Sequence, residues 1–214
     1  MRQFANTLCI VLVLQGMSAI VQAQLPPLPL QPSLNPIDQV LAAGWMTKYP
    51  DGQFHPEAIL NRAELASILV KTFQLDKRTV ANQDLIEVQD VPASHWGFKD
   101  SQIVLKTGIM KGYRGNMFFP NQKVTRAEGF AIFAQAYGVF QFPDSTVEEL
   151  LAKYPDAASS PAWARKTLVT SLNEGFVNTD PQNNISPLRP MTRGDMAYTL
   201  SKYLQQQKQP PSPF

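Results

Sequence analysis

The residue types best able to do chemistry in this chain are three arginines that recur in one local setting. They stand in Leu60-Asn61-Arg62-Ala63-Glu64, Val124-Thr125-Arg126-Ala127-Glu128 and Met191-Thr192-Arg193-Gly194-Asp195, and successive arginines are 64 and 67 residues apart. Asn61, Thr125 and Thr192 read as N-cap residues, and the acid three positions on completes a capping box; Asp195, being shorter, is expected to close its box less well. The arginine then falls in the first helical turn, where the macrodipole disfavours a cation by about a few tenths of a kcal/mol. Making that choice three times implies that each guanidinium has an anion to hold. Two sources are open: an internal carboxylate from a neighbouring copy, such as Asp90 or Asp156, or a bound anionic ligand assisted by free helix N–H groups.

The elements that position these arginines repeat with them. An offset of 64 sets Gly44, Met46, Tyr49, Phe54 and Pro56 on Gly108, Met110, Tyr113, Phe118 and Pro120. An offset of 67 sets Trp96, Leu105, Gly108 and Pro120 on Trp163, Leu172, Gly175 and Pro187. Such a period is the signature of stacked or ring-like repeats. Each unit decodes as helix, loop, helix. In the second unit Ser94 caps a helix carrying Trp96 through Leu105, Gly108 ends it, and Gly112-Tyr113-Arg114-Gly115-Asn116 is a turn. The second helices align apolar positions Ala66/Phe130/Ala197, Leu69/Phe133/Leu200 and Phe73/Tyr137/Leu204, a narrow stripe that predicts three helices around a common axis.

The copies are unequal. The first has Pro32 where a tryptophan is expected, and its first helix shrinks to about Ile37–Ala43. The second carries polar Asp100 and Ser101 on its first helix. The third has Thr179-Asp180 in place of the Gly-Tyr turn and an added helix over 145–153.

The ends read differently. Arg2 followed by the apolar run Leu8–Leu14 and Val21-Gln22-Ala23 has the form of a secretory signal over 1–23, too short for a membrane span of about 20 residues. Cleavage there removes Cys9, the only cysteine, and leaves 191 residues of formal charge +1 rather than +2. That balance favours neither nucleic acid nor an anionic membrane as partner. With two histidines and no thiol, no metal centre or cofactor is expected. Residues 24–35 form a proline-rich lead-in and 205–214 a Gln/Pro tail expected to be disordered. Between them the expected repeats span 36–79, 80–140 and 141–204.

The motifs Asp90-Val91-Pro92-Ala93-Ser94-His95-Trp96, Gly108-Ile109-Met110-Lys111-Gly112-Tyr113, Phe119-Pro120 and Val124-Thr125-Arg126-Ala127-Glu128 together resemble an S-layer homology (SLH) repeat. The resemblance covers three repeats from about Pro36 to Leu204. It implies a mainly α, pseudo-threefold trefoil on a central three-helix core. It also implies non-covalent attachment to cell-wall polysaccharide or peptidoglycan, often through ketal-linked pyruvate held in grooves between repeats. By the same resemblance Arg62, Arg126 and Arg193 are ligand arginines, with Trp96, Trp163, Asp90, Asp156, Tyr113 and Gly112 around them.

An arginine at a helix N-terminus suits a pyruvyl carboxylate, and aromatic rings suit sugar C–H faces. Trp96 and Trp163 are expected chiefly to anchor their own helices in the core. Arg126, in the most complete repeat beside Gly112-Tyr113 and facing Trp163, is expected to be the strongest ligand arginine, with Arg62 second and Arg193 weakest. The function so implied is a non-enzymatic wall-binding anchor or adaptor, exported to the periplasm or cell envelope of a Gram-negative-type cell such as a cyanobacterium. It could act alone or through another envelope protein. Two alternatives stand beside it: a protein-interaction scaffold with degenerate grooves, and a wall-glycan hydrolase using Asp90 and Asp156. The hydrolase requires two carboxylates in different environments of one cleft, which repeat-equivalent positions do not provide.

Overall fold

A computed structural model describes residues 35–80 and 84–208. The expected signal segment, nearly all of the lead-in and residues 209–214 lie outside that range.

The described chain is mainly α. Its helices are α1 (Pro36–Ala42), α2 (Arg62–Phe73), α3 (Phe98–Lys106), α4 (Arg126–Tyr137), α5 (Asp144–Leu151), α6 (Arg165–Asn173) and α7 (Arg193–Lys208), with short 3-10 turns at Leu75–Lys77, Ala157–Ser159 and Ala162–Ala164. Extended pairing among the described residues is confined to isolated bridges. The long helices start where the capping boxes predict. Asn61 accepts from Glu64 N and Thr125 from Glu128 N, and each glutamate returns to its cap's N–H. Asp195 closes its box as tightly as the glutamates, contrary to expectation, with Thr192 N to Asp195 Oδ2 at 2.9 Å and Asp195 N to Thr192 Oγ1 at 3.1 Å. The first helices end at Gly44, Gly108 and Gly175, each at φ +70°, a conformation that costs glycine no Cβ clash.

Two boundaries differ from expectation. The helix expected from Ser94 begins at Phe98, because His95 accepts from both Gly97 and Phe98 and forms a separate turn that leaves Trp96 outside the helix. The tail begins later than expected, since Gln205–Lys208 continue α7.

The three copies close a ring through the main chain. Leu60 N donates to Met191 O at 2.9 Å, Met191 N to Val124 O at 2.8 Å, and Val124 N to Leu60 O at 3.1 Å. The first N–H groups of each long helix, which have no partner within the helix, reach the loop of the next copy. Arg62 and Ala63 donate to Gln122 and Pro120, Arg126 and Ala127 to Arg189 and Pro187, and Arg193 and Gly194 to Ala58 and Pro56. Helix pairing follows the same order, with α3 on α2, α6 on α4 and α1 on α7.

The apolar stripe is wider than the sequence suggests. In α4, Ala127, Gly129, Phe130, Ala131, Phe133, Ala134 and Ala136 are all buried, because short helices cover the outer face as the axis covers the inner one. At the far end of the core Phe73, Phe133, Tyr137, Phe176 and Tyr203 form an aromatic cluster with centroids 5.0 to 6.4 Å apart. The third copy enters that cluster through Tyr203; Leu204, the position aligned in the sequence, is only half-buried and outside it. Buried Gln102 on α3 ties down Ile86 through both its N–H and its C=O, at 2.9 and 2.7 Å.

Candidate binding grooves

Each first-turn arginine reaches forward into the next copy. Arg62 donates from Nε to Phe118 O and from Nη2 to Lys111 O, both at 2.8 Å. Arg126 donates to Ile185 O at 2.7 Å and to Asn178 O. Arg193 donates to Phe54 O at 2.9 Å and to Thr47 O. The acceptors are repeat-equivalent, so the guanidinium is first a clamp between copies. Burial pulls Arg62 and Arg126 below the ordinary arginine range, opposed most by Tyr113 for Arg62 and by Asp195 for Arg126.

Neither Asp90 nor Asp156 is the internal anion; the internal carboxylate that an arginine does meet is Asp195, on Arg126. Each carboxylate instead accepts two successive backbone N–H groups. Asp90 takes Phe118 and Phe119 at 2.8 and 2.6 Å, and Asp156 takes Ile185 and Ser186 at 2.8 and 2.7 Å. Phe119 and Ser186 stand at φ 54° and 52°, so these bonds hold side-chain-bearing residues in the left-handed region. Both aspartates shape the loop whose carbonyl the arginine grips.

Two grooves of matching construction lie between copies. The larger, about 590 Å³, runs along α4 past Arg62, Lys111, Gly112, Tyr113, Glu128 and Trp163. The smaller, about 280 Å³, runs along α2 past Arg193, Lys48, Tyr49, Glu64, Lys71 and Trp96. In each, a tyrosine lies over the arginine: Arg62 Cζ is 4.9 Å from the Tyr113 ring centre, and Arg193 Cζ is 4.6 Å from that of Tyr49. Burial and neighbouring Glu64 raise the Tyr49 pKa, so its hydroxyl remains a hydrogen-bond donor in neutral water.

Trp96 and Trp163 are each 62 % exposed, which corrects their expected place in the core. Trp96 sits in the turn before α3 and Trp163 in the 3-10 turn before α6. Each presents its indole to the groove of the preceding copy's long helix.

Among the described residues, the arginine of the third groove is taken up by an internal carboxylate. Asp195 Oδ1 lies 2.7 Å from Arg126 Nη1 and 3.0 Å from Arg189 Nη2, and it also accepts from Asn178 Nδ2 at 2.9 Å. Arg126 is 1 % exposed. Tyr198 stands where Ser67 and Ala131 stand in the open grooves, with Lys202 Nζ 5.4 Å over its ring. The equivalent of the missing tryptophan, Pro32, lies outside the described residues. The expected setting of Arg126 is therefore corrected. Gly112, Tyr113 and Trp163 surround Arg62, not Arg126, because each arginine crosses into the following copy. Arg62 and Arg193 line open grooves, and Arg126 is consumed internally. The third turn itself survives the loss of Gly-Tyr. Asp180 N donates to Asn184 O as Tyr113 N does to Met117 O, and the Asp180 carboxylate braces the turn against Gln182 and Asn184.

Several groove residues lie outside the recurring motifs. Tyr49 could have been found from its alignment with Tyr113. Lys48 aligns with Gly112 and Thr179 and carries no such signal, whereas Lys71 aligns with Gln135 and Lys202 and Trp45 with Ile109 and Phe176. Among the described residues no cluster of His, Cys, Asp and Glu has the makings of a metal site, and no helix is long and apolar enough to cross a membrane.

Comparison with known proteins agrees with the repeat geometry. Residues 32–66, 89–128 and 153–197 match the S-layer homology domain. The chain is 26 % identical over 172 residues to a surface-layer 125 kDa protein of Lysinibacillus sphaericus, covering 79 % of this chain and 14 % of that protein. It is 25 % identical over 166 residues to a cellulosome-anchoring protein of Acetivibrio thermocellus, covering 76 % and 36 %. It is 27 % identical over 148 residues to an amylopullulanase of Thermoanaerobacterium thermosulfurigenes, covering 69 % and 8 %. The chain thus spans well under half the length of each of these relatives. Three matched segments covering more than half of the sequence make it a member of the S-layer homology domain family.

Proposed function

We propose that this chain is a non-catalytic module that attaches to the cell wall by holding an anionic wall glycan in two of its inter-repeat grooves. The observation that carries the reading is the pair Trp96 and Trp163. Each is a large apolar ring left 62 % exposed at the rim of a groove whose depth holds an arginine. An exposed indole over a buried cation suits a sugar ring bearing a carboxylate: the indole covers C–H surface, and the remaining guanidinium N–H groups meet the anion. A ketal-linked pyruvate supplies such a carboxylate.

The names of two relatives, a surface-layer protein and a cellulosome-anchoring protein, are in keeping with an anchoring role. The amylopullulanase relative does not argue for catalysis in this segment, because the match covers 8 % of that enzyme. Export with cleavage after Ala23, to the periplasm or envelope, belongs to the same reading.

Co-sedimentation of the protein with purified cell wall tests it. Saturable binding is expected, with release by the soluble wall polysaccharide. A folded protein that stays in the supernatant at every wall concentration would overturn the reading and leave a protein-interaction scaffold in its place.

A further inference from the structure

The two open grooves share a plan but differ in charge. Position by position, the smaller groove has Lys48 where the larger has Gly112, and Lys71 where the larger has Gln135. The larger groove has Lys111 where the smaller has Thr47. Counting the groove arginine and the capping glutamate, the larger groove (Arg62, Lys111, Glu128) carries one net positive charge and the smaller (Arg193, Lys48, Lys71, Glu64) carries two.

Among the described residues neither Lys48 nor Lys71 makes an ion pair. Glu64 does not offset them directly. Its Oε2 accepts from the Asn61 N–H at 3.1 Å, and its Oε1 lies 3.4 Å from the Tyr49 hydroxyl. Both ammonium groups are on exposed residues at the rim, above an arginine fixed to Phe54 O and Thr47 O. At the two positions matching these lysines the larger groove has the uncharged Gly112 and Gln135.

We infer that the Arg193 groove is selective for a glycan unit carrying two anionic groups, one met by Arg193 in the depth and a second met by Lys48 and Lys71 at the rim. The Arg62 groove takes a singly charged unit with a larger sugar body. This rests on the glycan reading above and adds to it a division of labour between the two grooves. The residues that set it are Lys48 and Lys71. A flexible ammonium suits a second anion that is not held in one fixed orientation, and the planar guanidinium suits the first.

The test isolates each groove in the full chain by removing its exposed indole. Trp163→Ala leaves the Arg193 groove and Trp96→Ala leaves the Arg62 groove. The probes are a methyl glycoside bearing one pyruvyl ketal and the same glycoside carrying in addition one phosphate, titrated by calorimetry. Trp163→Ala protein should prefer the phosphorylated probe by about five- to tenfold, the size of two partly screened ion pairs, and the preference should shrink with added salt. Trp96→Ala protein should show a preference below about twofold. Adding Lys48→Gln and Lys71→Gln to Trp163→Ala should erase the preference, read as the ratio of the two probe affinities in the same protein. Equal affinity of Trp163→Ala protein for both probes, or a preference that survives the lysine substitutions, overturns this inference and leaves the glycan reading standing. Failure of the unmutated protein to bind either probe overturns both.

Discussion

Asp195 Oδ1 lies 2.7 Å from Arg126 Nη1, with the two side chains 4 % and 2 % exposed. In the other two copies the corresponding acids, Glu64 and Glu128, use one oxygen to cap the helix and, among the described residues, leave the arginine of the preceding copy without an ion pair. Asp195 caps with Oδ2 and pairs with Oδ1. The pair completes a set of contacts in which Arg126 uses four of its five N–H bonds: to Ile185 O, Asn178 Oδ1, Asn178 O and Asp195. One groove of the ring is thereby turned into structure.

The first prediction is acid sensitivity that maps to this pair. Burial pushes the Asp195 carboxyl up, but Arg126, Asn178 and the Thr192 N–H outweigh it and hold it below its ordinary 3.8. A depressed folded-state value means that the stabilisation is complete above the ordinary carboxylate value and fades as pH falls through the lower folded one. Asp195→Asn should melt lower at neutral pH and show a flatter decline in acid. Thermal melts from about pH 7 to about pH 2 check this; parallel acid limbs in the two proteins would refute it.

The second prediction separates the arginines. Arg126→Lys keeps a charge near Asp195 but loses the bonds to Ile185 O and Asn178 O, and should cost about 1–3 kcal/mol of stability. Wall binding by the folded protein should be unchanged. Arg62→Lys should lower stability through the lost Phe118 O contact, and should also weaken wall binding, because an ammonium cannot present the guanidinium's remaining donors to a carboxylate. Denaturant melts and wall sedimentation on the same samples, at a temperature where both are folded, distinguish them.

Much of the ring was legible in the sequence because its devices are local. Capping boxes, glycine C-caps and the three-times-written arginine each depend on neighbours within a few residues. The direction in which the arginines reach was not legible, since nothing local says whether a first-turn side chain meets its own loop or the next copy's. That single unknown placed Arg126 beside Gly112 and Trp163 when the resident is Arg62. The exposure of Trp96 and Trp163 was not legible for a related reason. Tryptophan is commonly buried, and only the turn at His95 and the 3-10 step at Ala162–Ala164 show that each indole stands outside its helix. Tyr203 replaced Leu204 because α7 rotates the tyrosine, one position earlier, toward Phe133.

The third prediction concerns that core. Phe133 is wholly buried and packs tilted against Phe73 and edge-on against Phe176 and Tyr203. Phe133→Ala removes a ring shared by elements from all three copies and should cost about 3–5 kcal/mol in denaturant melts. A loss below about 1 kcal/mol would mean that the cluster closes over the gap without it.

The fourth prediction turns on Trp96 and Trp163. Each is largely exposed, so truncation to alanine should leave stability within about 0.5 kcal/mol. Against a soluble glycoside, each single variant should retain one working groove and lose the other's binding by about tenfold or more, as expected when an aromatic anchor is removed. The wall is a different ligand, because it presents many glycan units close together. Two grooves on one module make the second contact intramolecular, and avidity of this kind is worth about 10² to 10⁴ in apparent affinity. Losing either tryptophan should therefore weaken wall sedimentation far more than it weakens glycoside titration, and losing both should abolish sedimentation while the melt is unchanged. If the two grooves acted alone, each single variant would retain about half of the wall-binding capacity at unaltered affinity. Undiminished sedimentation of the folded double variant would remove both grooves from wall attachment.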